Sequence, residues 1–129
     1  MKNDGYEFSF SGLKSSAARH IEKHPEVSLD DMAASFVAAC MDVLIAKAER
    51  AVTECAPKSL IIVGGVAASP QLRDGMAQLA QDHGISLCLP PIKWATDNGA
   101  MIGLATWDYI EKGIKPDLIP KPNLNLETP

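Results

Sequence analysis

The sequence lacks several features that would assign a functional class at once. It has no apolar run close to the ~20 residues of a membrane-spanning helix, so no membrane partner is expected. It has no basic excess either, because 12 Lys and Arg stand against 16 Asp and Glu and the net charge is −4. Nucleic-acid binding needs clustered basic side chains, so this composition argues against a self-sufficient grip on RNA or DNA. The first ten residues carry no targeting pattern, and we expect a cytoplasmic protein or one of an organellar matrix.

Cysteine is scarce and carries no recognisable site. Cys40, Cys55 and Cys88 form no CxxC pair, which excludes a zinc knuckle and a thioredoxin-like centre. We expect three reduced, partly buried thiols. The sequence also has no HExxH, no Ser or Cys triad spacing, no Walker P-loop and no GxGxxG. Neither protease chemistry nor the two common phosphate-binding fingerprints are therefore indicated.

What is present is enough for one folded domain. The 129 residues are 47% hydrophobic and 22% charged, a composition that buries a core and excludes disorder for most of the length. Alternating aromatic and polar residues predict a strand over residues 6–12, followed by a helix over residues 13–24. Ser28 is a good N-cap for a long amphipathic helix that reaches about Cys55.

The second half alternates strands and helices. A continuous apolar run over residues 60–63 predicts a strand buried on both faces. Ser69 caps the next predicted helix, which runs to about His83, and a second strand follows over residues 85–89. Thr96 or Asp97 opens a last helix that ends near Lys112, and a proline-rich extended tail occupies residues 113–129. This order predicts an α/β fold with parallel strand pairing.

Two turns after the predicted strands are candidate sites. The run Val63-Gly64-Gly65-Val66-Ala67-Ala68-Ser69 joins a buried strand to a helix start, where glycines let a ligand approach the backbone and helix N–H groups favour an anion. A tight strand–helix turn explains the same residues. In the second turn, Asp97 either caps the last helix or binds a metal ion, and capping is favoured on spacing alone. Both turns follow strands, where open α/β sheets bind ligands.

Two further groups are weaker candidates. Ser9, Ser11, Gly12 and Lys14 supply hydroxyls, a flexible position and a cation near a helix start, although a strand leading into a helix accounts for them equally well. His20 and His24 share a helix face at metal-binding spacing, yet no third ligand is nearby and a solvated face is favoured.

Taken together, three of these segments resemble one family closely. FSFSGLK at 8–14, GGVAAS at 64–69 with LR at 72–73, and TDNGAMIG at 96–103 are similar in order and spacing to the tRNA threonylcarbamoyladenosine transferases, the TsaD family once labelled glycoproteases. The likeness covers residues 6–118. It implies the C-terminal lobe of an actin/Hsp70/sugar-kinase-like (ASKHA) fold, so that residues 1–129 are a single α/β lobe of a larger two-lobe enzyme.

The resemblance also implies roles for individual residues. Gly64, Gly65, Ser69 and Asn98 would contact the nucleotide, with Ser69 standing where the family has asparagine, and Asp97 would bind an iron or zinc ion together with histidines outside this chain. Ser9, Ser11, Gly12 and Lys14 would lie on the substrate side. The family's paired histidines are not His20 and His24, which fall in an ordinary helix of the pattern. No catalytic side chain of this chain is identified.

The implied function is transfer of the threonylcarbamoyl group from threonylcarbamoyl-AMP to the anticodon-adjacent adenosine of tRNAs that read ANN codons. The implied partners are the N-terminal half of the enzyme, tRNA, threonylcarbamoyl-AMP, a paralogous subunit and a small ATPase. The chain alone would be inactive, since it holds one metal ligand of three. The alternative is a non-catalytic nucleotide- or protein-binding module derived from the same lobe.

Overall fold

The structure is a computed structural model that describes residues 5–115. Its elements follow one another in the order α1 (Ser11–Lys23), α2 (Leu29–Cys55), β1 (Ser59–Ile61), a 3-10 helix (Gly65–Ala68), α3 (Pro70–Asp82), β2 (Ser86–Cys88), α4 (Ile92–Ala95) and α5 (Gly99–Glu111). The described chain forms two compact units that divide between Thr96 and Asp97. α5 belongs to the second unit and every other element to the first.

Local sequence signals account for most helix ends. Ser28 Oγ accepts a hydrogen bond from Asp31 N and caps α2, and Ser69 Oγ accepts one from Leu72 N and caps α3. Gly84 has φ 64° and Gly113 has φ 66°, the left-handed conformation that ends a helix. The predicted bounds of α2 and α3 are therefore confirmed. Residues 113–115 are the described part of the predicted tail, and its remainder lies outside the described residues.

The first unit contains a parallel strand pair. β1 and β2 pair with Leu60 opposite Leu87, and the bond from Ile62 N to Cys88 O extends the ladder past the end of β1. α3 is the crossover between them, as the strand–helix–strand order predicts. The α/β prediction is confirmed at this level.

The core of the first unit lies where α3 meets α2, the 3-10 helix and β2. Its buried apolar side chains are Val52, Ala67, Leu72, Met76, Leu79, Ala80 and Ala95. Gly75 permits the close approach of α3 to α2, because a Cβ at this position would collide with the Ile45 side chain. The core is small for the size of the unit, and the remaining apolar side chains are only partly covered.

The sequence-based prediction of a strand over residues 6–12 is wrong. α1 begins at Ser11, and residues 7–10 form no regular element. A strand needs a neighbouring backbone, and here the carbonyls of Gly5 and Glu7 instead accept hydrogen bonds from Lys47 Nζ, each at 2.6 Å. The alternation still places the three aromatic side chains on one side of the segment, because Tyr6, Phe8 and Phe10 all line one cavity.

Two other expectations need correction. The strand over residues 60–63 is not buried on both faces, since Ile61 and Val63 are 64% and 73% exposed while Leu60 and Ile62 are half-buried. Within the first unit, no described element covers that outer face. The last helix is opened by Asn98 rather than by Thr96 or Asp97, because Asn98 Oδ1 lies 3.0 Å from Met101 N. The short α4 was not expected; Ala95, at its end, is buried.

Candidate functional site

The glycine turn begins shortly after β1 and has, at Gly64, a conformation that only glycine adopts easily. Gly64 has φ 92° and ψ 171°, a region that side chains avoid. Gly65 has no positive φ, and a Cβ on either glycine would meet nothing within 4 Å. The fold therefore requires glycine at position 64 for its backbone, whereas at position 65 it leaves open space that a side chain would enter.

Behind the glycines the turn is held firmly. Ala67 N donates to Gly64 O at 3.0 Å, and Ser69 N donates to Val66 O at the same distance. Ala67 is 1% exposed, so the turn rests on the core of the first unit. This arrangement gives two residues of backbone without side chains, Gly64 and Gly65, on a fixed base, which suits a ligand that lies against backbone.

Ser69 already uses its hydroxyl within the protein. Besides capping α3, Ser69 Oγ donates to Gln71 Oε1 at 2.9 Å. An asparagine at this position could also cap the helix through its side-chain oxygen, and its amide would extend further from the backbone. The serine therefore keeps the structural role and offers a shorter polar group to a ligand.

A single arginine joins the two loops that leave the strands. Arg73 Nη1 donates to Ala67 O at 2.7 Å, and Nη2 donates to Pro90 O at 2.9 Å. Ala67 lies in the turn after β1 and Pro90 in the loop after β2. Sequence reasoning noted the residue only as part of the LR pair, because nothing local in the sequence indicates a bond to a residue 17 positions away.

The first unit also has a large apolar cavity of about 710 Å³ beside this turn. We call it the apolar groove; it is open and lined by Tyr6, Phe8, Phe10, Lys14, Phe36, Val37, Cys40, Met41, Leu44, Lys47, Ala48, Ala51, Ile62, Val63, Val66, Ala67, Leu72 and Met76. Its wall brings together two predicted regions, since Phe10 and Lys14 come from the 8–14 segment and Val63 and Val66 flank the two glycines.

The other residues of the 8–14 segment lie at the start of α1. Ser9 Oγ and Ser11 Oγ are 3.1 Å apart, and both residues are exposed. Gly12 lies in the first turn of α1 with nothing within 4 Å of its Cβ position. Of the four predicted substrate-side residues, Lys14 alone lines the apolar groove.

Two side chains of α2 fasten the N-terminal segment across the groove. Lys47, 9% exposed, donates to the carbonyls of Gly5 and Glu7 and lies 5.6 Å from the centre of the Phe8 ring. Tyr6 Oη donates to Glu54 Oε2, which raises the pKa of the phenol from 10.0 to about 12. The same bond, with that from Arg50 Nε at 2.6 Å, lowers the pKa of Glu54.

Asp97 lies in the second unit and stands at its first position. Its carboxylate is exposed and has no hydrogen-bond partner among the described residues, since Asn98 provides the cap of α5. The capping role, favoured on spacing alone, is therefore wrong for Asp97. A free carboxylate suits a hard or borderline cation. Among residues 5–115, however, no three His, Cys, Asp or Glu side chains are grouped to hold a metal ion.

His20 of α1 and His24 at its C-cap interact with each other, and His24 also interacts with a carboxylate. The rings of His20 and His24 are 4.4 Å apart, and His24 Nδ1 lies 3.0 Å from Glu26 Oε1. Both histidines are exposed. Within the described part of the chain, none of the helices combines the length and apolar character needed to cross a bilayer.

Comparison with known proteins decides the family. The family model described as TsaD, tRNA N6-adenosine threonylcarbamoyltransferase, matches residues 1–104. The chain belongs to the TsaD family. All three motif segments lie within the matched range, the third almost to its end.

Individual relatives agree with this assignment to TsaD. The chain is 41% identical over 105 residues to the tRNA N6-adenosine threonylcarbamoyltransferase of Carboxydothermus hydrogenoformans, a match that covers 81% of the chain and 32% of the relative. It is 41% identical to the enzyme of that name from Staphylococcus haemolyticus, covering 98% and 39%. For the enzyme from Corynebacterium aurimucosum the identity is 44%, covering 86% and 33%. The chain thus spans about a third of the length of the curated TsaD relatives it matches.

Proposed function

We propose that this chain is the part of a tRNA threonylcarbamoyltransferase that supplies the nucleotide-side turn and one metal ligand. The family match over residues 1–104 carries the proposal. The reaction is the attack of the N6 amine of the tRNA adenosine on the carbamoyl carbon of threonylcarbamoyl-AMP. The bond from that carbon to the phosphate oxygen breaks, AMP leaves, and the amine loses a proton.

The geometry of the glycine turn supports a nucleotide-binding role. Gly64 and Gly65 present backbone without side chains, and the buried Ala67 fixes the base of the turn. Such an edge lets a flat nucleoside approach closely and holds it in one orientation, which lowers the entropic cost of reaching the transition state. Ser69, which also caps α3, completes the nucleotide contacts proposed within the first unit. Asn98, which caps α5, is proposed as a nucleotide contact from the resemblance alone.

Asp97 fits the role of one ligand of a divalent iron or zinc ion. Its carboxylate is exposed and not used in a helix cap, and the remaining ligands would come from histidines outside this chain. A bound cation supplies positive charge that stabilises negative charge developing on phosphate or carbamoyl oxygens. The chain's contribution is to hold the carboxylate immediately before α5.

The uncovered apolar surface supports a partner role for the rest of the enzyme. Four apolar residues that line the apolar groove are 45–73% exposed: Tyr6, Phe8, Val63 and Val66. A stable isolated domain usually leaves less contiguous apolar surface open to solvent. We propose that the other two thirds of a full-length relative pack against this lobe of an ASKHA fold. The further proposed partners are tRNA, a paralogous subunit and a small ATPase in the cytoplasm. The net charge of −4 indicates that tRNA is bound mainly by other parts of the enzyme.

A segment exchange tests this function. In the Carboxydothermus enzyme the matched 105 residues are replaced by those of this chain, giving what we call the chimeric enzyme. In cells depleted of their own transferase, we expect the chimeric enzyme to restore threonylcarbamoyladenosine in tRNA, measured by mass spectrometry of digested nucleosides. A folded chimeric enzyme without this product would contradict the transferase proposal and favour the non-catalytic binding module.

The metal assignment has its own control. Asp97→Ala in the chimeric enzyme should abolish both the stoichiometric metal and the modified nucleoside. Asp42→Ala removes a carboxylate from an exposed position of α2 and should leave both unchanged. Unchanged metal content in Asp97→Ala would refute the assignment of Asp97 as a ligand.

A further inference from the structure

We propose that Arg73 is a positioning residue that fixes the glycine turn for nucleotide binding by bracing it against the loop after β2. This inference rests on the proposed function. Arg73 has contacts with both loops, through Nη1 to Ala67 O and Nη2 to Pro90 O at 2.7 and 2.9 Å. Because β1 and β2 are parallel neighbours, both loops leave the same edge of the sheet.

The two loops differ in stiffness, so the loop after β2 can hold the turn after β1 in place. The turn after β1 contains Gly64 and Gly65, whose backbone no side chain restricts, so its conformation depends on contacts such as those at Ala67. The loop after β2 contains Pro90 and Pro91, whose rings fix φ and restrict the residue that precedes each ring. The Pro90 carbonyl is therefore a rigid acceptor. Because the same guanidinium also binds the Ala67 carbonyl, it restricts the position of that carbonyl.

The chemistry of the contact requires arginine. A guanidinium is planar and presents donors on separate nitrogens, so one group reaches two carbonyls in different loops. A lysine ammonium is a single point charge on a flexible stem and can hold one carbonyl well at a time. A lysine at position 73 would keep the positive charge and lose the bridge. Charge and geometry can thus be separated by one substitution.

Position within the site adds a second argument. Arg73 is half-buried under the turn, and its own backbone N–H donates to Ser69 O at 3.1 Å. The Pro90 carbonyl that Arg73 binds lies just before α4. In α4, Trp94 N donates to Pro91 O at 2.8 Å, and α4 packs on the 3-10 helix. A ligand on the glycine edge would meet a turn that Arg73 holds at the Ala67 carbonyl.

The test compares Arg73→Lys and Arg73→Met in the chimeric enzyme, with AMP as the probe. Arg50→Lys is the matched control, because it removes a guanidinium hydrogen bond to Glu54 on the far part of α2. We expect both Arg73 variants to raise the Kd of AMP and the KM for threonylcarbamoyl-AMP about tenfold, while the KM for tRNA stays within twofold. A purely structural role would instead change both KM values together.

The outcomes separate this inference from the function on which it rests. If the unsubstituted chimeric enzyme transfers the group and both Arg73 variants bind AMP within twofold of it, the positioning role is refuted and the transferase proposal stands. If Arg73→Lys matches the parent and only Arg73→Met is impaired, charge rather than bridging matters and the inference is overturned. If the parent itself neither binds AMP nor transfers the group, the proposed function fails first.

Discussion

Replacing Gly64 by alanine should destabilise the protein, whereas replacing Gly65 by alanine should weaken nucleotide binding without that cost. At Gly64 the backbone has φ 92° and ψ 171°, and an alanine there is strained whatever the surrounding space. Holding a side-chain-bearing residue in so sparsely populated a region costs about 1–3 kcal/mol. Gly64→Ala should therefore lower the free energy of unfolding by an amount in that range.

At Gly65 the same substitution meets no such cost. Its φ is not positive and an added Cβ would have no heavy atom within 4 Å. Where alanine fits the native conformation, Gly→Ala stabilises a protein by about 0.4–1 kcal/mol, chiefly by restricting the unfolded chain. The fold thus gives no reason for glycine at this position, and a ligand lying against the backbone supplies one. We expect Gly65→Ala to weaken AMP binding about tenfold, or about 1.4 kcal/mol.

Two measurements on the chimeric enzyme decide between these effects. Urea unfolding gives the stability change of each variant, and isothermal titration calorimetry gives the Kd of AMP. Gly84→Ala serves as a control, since Gly84 has φ 64° at the end of α3, away from the turn. It should destabilise without changing the Kd. Undiminished AMP binding by a stable Gly65→Ala enzyme would refute the reasoning that the open edge at Gly65 is a nucleotide contact.

Two further pairs of substitutions test the turn and the N-terminal segment. Ser69→Asn should keep the α3 cap and tighten AMP binding several-fold. Ser69→Ala should lose the cap and with it about 0.5–2 kcal/mol of stability. Equal Kd values for AMP, measured by calorimetry on the parent and the Ser69→Asn enzyme, would contradict a nucleotide contact at position 69. Tyr6 should ionise at about pH 12, and Glu54→Gln should lower this pKa toward the ordinary 10.0. Because the folded pKa is the raised one, the Tyr6–Glu54 bond contributes below pH 10 and is lost as pH rises toward 12. The difference in phenolate absorbance between the parent and Tyr6→Phe measures the titration, and an unshifted curve in the parent would exclude the bond.

Signals that act within one turn of chain were predictable from the sequence. The caps of α2 and α3 and the glycines after α3 and α5 need nothing beyond their neighbours, and Ser28, Ser69, Gly84 and Gly113 all have the expected conformation. The cap of α5 was misplaced because Thr96, Asp97 and Asn98 are three adjacent cap-forming residues. Only the observed backbone selects Asn98, whose oxygen meets Met101 N.

Features that join distant parts of the chain were not predictable in the same way. The alternation over residues 6–12 indicates an extended, one-sided segment, but a strand also needs a partner that the sequence does not specify. Lys47 binds carbonyls 40 and 42 positions earlier, and no local rule suggests it. The glycine turn was found as a candidate from its residues. For Asp97 the residue type left metal binding as the less favoured alternative to capping, and only the family resemblance led to the proposed metal role.

The correction at Asp97 changes what the local sequence means. A carboxylate before a helix normally has an ordinary explanation, because Asp is among the preferred caps. In this chain the neighbouring amide takes that role, and Asp97 is left exposed without a partner among the described residues. The two adjacent residues therefore differ in role: Asn98 stabilises α5, and the Asp97 carboxylate is available to a ligand. Exchanging their identities would keep a capping residue at position 98 while removing the carboxylate from position 97, so the stability of α5 and the proposed metal binding can be tested separately.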